Sequence, residues 1–188
     1  MKPADLLAEE LEQILGMLDI LEVMHNRLLD DKPINLDDLK RILTCIKTFV
    51  HKCHNMKEER VLFPQLRSLG KQSNNELLED MSNENDLAAL YLESLNETLE
   101  NFRKGENGSK QKMLMYMQKY LNLEKQHIQK EQLFILPLCN QEIEQQDKLL
   151  TQFRLCDEKE FGVGMQEKFH ESFAKIIDSM KEHYFSDN

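Results

Sequence analysis

Apolar residues recur every three or four positions through four long stretches of the chain, and polar breakers separate the stretches. Leu7, Leu11, Ile14, Leu18 and Leu21 form the first stripe. Leu43, Ile46 and Val50 begin the second, which runs on into His54, Glu58 and Val61. Met81, Asn85, Ala88, Leu92, Leu95, Leu99 and Phe102 form the third. Met113, Tyr116, Tyr120 and Leu123 lead the fourth into His127, Glu131 and Phe134. This is the spacing of an inward helix face. It predicts long helices over about 3–29, 36–69, 75–103 and 110–139, divided by "DDKPIN", "GKQSNN" and "KGENGS". Pro3 suits a helix start and Asn35 a cap. Pro64 is expected to bend or end the second helix, and Pro137 lies near the end of the fourth. A shorter helix over about 141–153 and, after "FGVG", a last one over about 165–184 complete the expectation. The fold class expected is all-α: an up-down-up-down four-helix bundle over residues 1–140, with two additional helices in a C-terminal extension, 141–188, packed on it.

The chain also repeats itself. "AEELEQILGML" (8–18) resembles "SNENDLAALYL" (82–92), and "HNMKE" (54–58) resembles "HIQKE" (127–131), at offsets of 74 and 73 residues. Each half therefore reads as a helical hairpin, and the two halves as a pseudo-twofold pair.

Composition narrows the functions. The 188 residues carry a net charge of −10, with only six Gly and four Pro. Nucleic-acid binding needs clustered Lys and Arg, so this balance argues against it and against an anionic membrane surface. No apolar run is long enough for a membrane span, and the start shows no signal peptide. Cys45, Cys53, Cys139 and Cys156 include no CxxC pair and read as reduced thiols of a cytoplasmic protein. The ten methionines read as core filling.

The chemistry lies in the second helix of each hairpin. His54 and Glu58, like His127 and Glu131, are four residues apart and share a helix face. All four fall on inward stripes. A buried carboxylate is costly unless paired or bound to metal. Two such pairs meeting across a pseudo-twofold axis would gather two imidazoles and two carboxylates, a donor set suited to first-row transition metals. The bland alternative is a buried imidazole–carboxylate hydrogen bond in each half. Duplication favours the metal reading. His25, His170 and His183 read as surface or interface residues, and Tyr116 and Tyr120 as core.

The segments "FVHKCHNMKEERVLFPQL" and "HIQKEQLFILPL" resemble the HHxKEExxLFP and HIxKExxxLFP stretches of the hemerythrin-like, or HHE, family of helical bundles. The tail "FGVGMQEKFHESF" is similar to the GxGxHExxH stretch of one branch of that family. The resemblance implies a non-haem di-iron site. It also exposes departures. Where the family has Glu-His on its first and third helices, this chain has Glu10-Leu11 and Glu84-Asn85, and the second histidine of the HH pair is Asn55. His54, Glu58, His127 and Glu131 are the metal ligands that survive. Glu10 and Glu84, each one residue away, are possible substitute ligands, but they point roughly 100° off the stripes and read more simply as solvated first-turn acids. His51, one turn before His54, could replace a lost ligand or line the site entrance, but reads more simply as an exposed histidine.

The function expected is metal binding, with one or two non-haem iron ions in a depleted di-iron site. The role would be binding, sensing or storing metal, oxygen or nitric oxide, and the partners a metal ion and a small diatomic ligand. Another divalent metal, a haem held by the two imidazoles, and a metal-free interaction protein are the alternatives. No separate nucleophile–base set, phosphate loop or nucleotide motif supports an enzyme.

Overall fold

The computed structural model describes residues 1–185, apart from the side chains of Ser73, Gln166, Glu167 and Phe169. Residues 186–188 of the expected C-terminal extension lie outside the described residues. Six helices and no strand make up the described chain. Helix α1 is Pro3–Leu29. Helix α2 runs unbroken through Leu36–Ile46, Lys47–His54, Asn55–Lys57, Glu58–Leu62 and Phe63–Ser68. Helix α3 is Gln72–Arg103. Helix α4 runs through Ser109–Lys130, Glu131–Ile135 and Leu136–Glu142. Helices α5 (Gln146–Phe161) and α6 (Gln166–Phe185) follow. The cap expected at Asn35 is present: its Oδ1 accepts from the backbone N–H of Asp37 at 2.8 Å.

Helix α1 packs against α2 and α4, and α3 packs against the same two, so the first four helices close into a ring. Helix α5 lies on α1 and α2, and α6 lies on α1 and α5. Gly16 is where α6 comes close. A Cβ there would meet Lys181 Nζ at 2.8 Å and Ile177 at 3.4 Å.

Pro64 and Pro137 are accommodated inside continuous helix. Segments Glu58–Leu62 and Glu131–Ile135 are π-helical and directly precede the turns that hold Pro64 and Pro137. Proline cannot donate to the carbonyl four residues back and its ring crowds it. A turn with i→i+5 bonding takes up the misfit. The wider turn also shifts the inward stripe. After Glu58 the core position is Leu62, whereas Val61 is only half-buried. After Glu131 it is Ile135, whereas Phe134 is 49% exposed.

The core is divided in two. Leu18, Leu21, Ile46, Phe49, Leu95 and Met117 belong to one large apolar cluster, which Phe173 and Ile177 of α6 extend. Leu7, Leu62, Phe63, Met81, Ile135 and Phe153 belong to a second. Each buried side chain of this size contributes about 1.5–3 kcal/mol. Between the clusters lies a layer of charged and imidazole side chains.

Candidate metal centre

Helix α2 brings His54 and Glu58 into this layer, and α4 brings His127 and Glu131. None of the four exceeds 3% relative exposure. They converge. His54 Nε2 lies 2.9 Å from Glu131 Oε2, and His127 Nε2 lies 3.2 Å from Glu131 Oε1. Glu58 Oε2 is 3.9 Å from His127 Nε2, beyond hydrogen-bond reach. The four positions expected from the sequence thus face one point.

The other nitrogen of each imidazole is held from behind, by two carboxylates expected from the sequence to be solvated. Glu10 Oε2 accepts from His54 Nδ1–H at 2.9 Å, and Glu84 Oε2 accepts from His127 Nδ1–H at 3.0 Å. Each carboxylate also takes a lysine from the same motif. Lys57 Nζ donates to Glu10 Oε1 at 2.8 Å, and Lys130 Nζ donates to Glu84 Oε1. Glu10 is 1% exposed and Glu84 is half-buried, so the expectation of solvated acids fails. The reason is reach. A glutamate on the flank of an inward stripe still spans to the neighbouring helix when a cation and a ring N–H wait there. A carboxylate on Nδ1 with Nε2 facing inward is the arrangement that orients metal-ligating histidines.

Leu11 is buried in the larger apolar cluster, as its place on the inward stripe implies. Asn85 is also buried, but its amide is committed: Oδ1 accepts from Asn55 Nδ2 at 2.9 Å and Nδ2 donates to Glu59 Oε1 at 3.0 Å. His51 is half-buried rather than exposed, with Nε2 3.2 Å from the Tyr120 hydroxyl. Glu124, a buried residue outside the expected set, lies near that tyrosine and His127. Its signal was available, since Glu124 lies one turn before His127. His25 is buried, and His170 of α6 comes within 3.9 Å of Glu10.

The electrostatics follow from this packing. Burial would raise Glu10, but Lys57 and His54 outweigh it and hold the carboxyl at about 2. Burial would lower His54, but Glu131, Glu10 and Glu58 outweigh it and raise the ring to about 10. His127 is also raised, because Glu58, Glu84 and Glu131 overcome its burial. Burial and the charge of Glu58 push Glu131 up. Burial raises Glu124. Burial, with His127 and Lys47 nearby, lowers His51 to about 4.

The donors fit a cation. Both carboxylate oxygens of Glu58, Glu124 Oε1 and His127 Nε2 are buried with no hydrogen-bond partner among the described residues. The contact from His127 Nε2 to Glu131 is close but lacks hydrogen-bond alignment. Orphaned polar atoms of this kind each cost about 1–3 kcal/mol or more in a core. Here several lie in the same layer of the bundle.

A helical bundle with an inward layer of paired imidazoles and carboxylates is a metal-binding architecture. The chain belongs to the Hemerythrin HHE cation binding domain family, whose profile matches residues 2–139. No curated protein and no solved structure matches the chain. No helix among the described residues is long and apolar enough to cross a membrane.

Proposed function

We propose that the chain binds non-haem iron, one or two ions, at His54, Glu58, His127 and Glu131, with Glu124 as a further carboxylate donor. The observation that carries this reading is the set of orphaned buried atoms on Glu58, Glu124 and His127. His54, Glu58 and Glu131 each place one ligand atom within 4.8 Å of the others, close enough to share a divalent cation, and Nε2 of each imidazole already faces inward. Bound iron supplies Lewis acidity and one-electron redox capacity. The protein's own part is positioning. Glu10 and Glu84 fix the two rings through Nδ1, Lys57 and Lys130 anchor those carboxylates, and the two apolar clusters limit water access. Leu11 and Asn85 supply no nitrogen, so the site is poorer in imidazole than the family pattern. That favours binding, sensing or storage of metal, oxygen or nitric oxide over demanding oxidation chemistry. Haem fits less well, because the Glu131 carboxylate occupies the space between the two imidazoles.

The test is metal content. Protein prepared free of metal and loaded anaerobically with Fe2+ should retain one to two irons per chain after desalting. His54→Ala/His127→Ala should retain none. Equal retention by the parent and this variant would refute the site.

A further inference from the structure

Behind His54, on the side covered by α5 and α6, lies a second set of metal-type donors. Glu10, Cys53, Asp157 and His170 come from α1, α2, α5 and α6, and one ligand atom of each lies within 4.8 Å of all the others. Cys53 Sγ is 3.4 Å from Asp157 Oδ1, 3.9 Å from Glu10 Oε1 and 3.9 Å from His170 Nε2. His170 Nε2 is in turn 3.9 Å from Glu10 Oε1. In a tetrahedral zinc site with ordinary bond lengths, ligand atoms stand about 3.3–3.6 Å apart. The cage therefore has the right shape and is slightly too wide.

A cation already sits inside it. Lys57 Nζ is 2.7 Å from Asp157 Oδ1, 2.8 Å from Glu10 Oε1 and 3.0 Å from Cys53 Sγ. Lys57 is wholly buried, and Glu10, Cys53 and Asp157 are each 1% exposed. Only His170 reaches toward solvent. The pseudo-equivalent Lys130 pairs with Glu84 and remains 35% exposed.

We propose that Glu10, Cys53, Asp157 and His170 form a second divalent-cation site, of the zinc and cobalt class, which the Lys57 ammonium occupies and keeps closed to metal. The donors, one sulfur, one imidazole and two carboxylates, suit borderline ions of that class. Ligation would take the Cys53 thiol to the thiolate, its proton passing to buffer. Because the iron centre contains no sulfur donor, the two sites can be told apart by spectrum.

Lys57→Ala should bind one more Co2+ per chain than the parent. It should show a near-ultraviolet sulfur-to-cobalt charge-transfer band that the parent lacks. The band should vanish in Lys57→Ala/Cys53→Ser. Removing Lys57 strands two buried carboxylates, so the variant is folded in Co2+-containing buffer. A companion, Lys57→Ala/Asp157→Asn, strands one charge fewer and keeps three donors, and it should show the band too. The proposal is overturned if folded variants show no band, if the band survives Cys53→Ser, or if the parent shows it equally. It is also overturned if neither variant folds with Co2+, since an ion in the cage should replace the lost ammonium.

Discussion

The two halves of the layer use the same three side chains and place them in different surroundings. Glu10, His54 and Lys57 in one half correspond to Glu84, His127 and Lys130 in the other. In the first half α5 and α6 lie over the trio, Asp157 gives the lysine a second carboxylate, and all three side chains are buried. In the second the lysine and its glutamate stay partly exposed, at 35% and 19%. A repeated motif thus yields one buried network and one surface pair. Burial multiplies both the value of the partners and the cost of losing one.

The largest effect expected is at the lysines. Lys57→Met should destabilise the metal-free protein by about 3–5 kcal/mol, because Glu10 and Asp157 are left buried and uncompensated. Lys130→Met should cost about 1 kcal/mol or less. Paired urea denaturation curves measure both, and equal losses would abolish the distinction between the halves.

Acid should act next, and through the covered half. The folded pKa of Glu10 is depressed from 4.5 to about 2. Its stabilising contribution is present above 4.5 and is lost as pH falls through about 2, amounting to about 3 kcal/mol. In Glu10→Gln the stability of the metal-free protein should vary correspondingly less between pH 5 and pH 2. An unchanged acid profile would place the sensitivity elsewhere.

The orienting carboxylates come third. Glu10→Gln and Glu84→Gln should each weaken iron affinity by about 10–100-fold. Competition against a chelator of known strength reads this out, and Glu10→Gln should additionally lower stability. A loss confined to one variant would mean that only one imidazole is a ligand.

The smallest effect is expected at Asn85. Asn85→Ala removes its bonds to Asn55 and Glu59 and should cost about 1 kcal/mol, with iron content unchanged. A marked fall in iron would instead make Asn85 part of the site.

The helices and the inward four were legible because periodicity alone encodes them. His54, Glu58, His127 and Glu131 sit on stripes otherwise filled by Leu, Ile and Val, and the repeat doubles the signal. Glu10 and Glu84 were misread because a stripe describes where Cβ points and not how far a glutamate reaches. Glu124 escaped because the stripe drawn along α4 passed through Leu123, which is half-buried, instead of Leu121 and Glu124. Asp157 carried no local mark, and His170 only its place in the family-like tail. Their role depends on where α5 and α6 dock, which is a tertiary fact. The prolines signalled irregularity, but not that it would be absorbed as a wider turn.

Those wider turns bear on how the gene can change. Above Glu58–Leu62 the register of α2 serves the imidazole and carboxylate. Below it, the register serves Leu62, Phe63 and Leu66 in the second cluster. Deleting one residue within the segment would restore regular helix and rotate the two parts by roughly 100° relative to each other. One of the two faces would then be lost. The same holds for Glu131–Ile135. Single-codon deletions in these short segments should therefore be purged more strictly than substitutions at the same codons, although Glu59, Arg60 and Gln132 touch neither cluster.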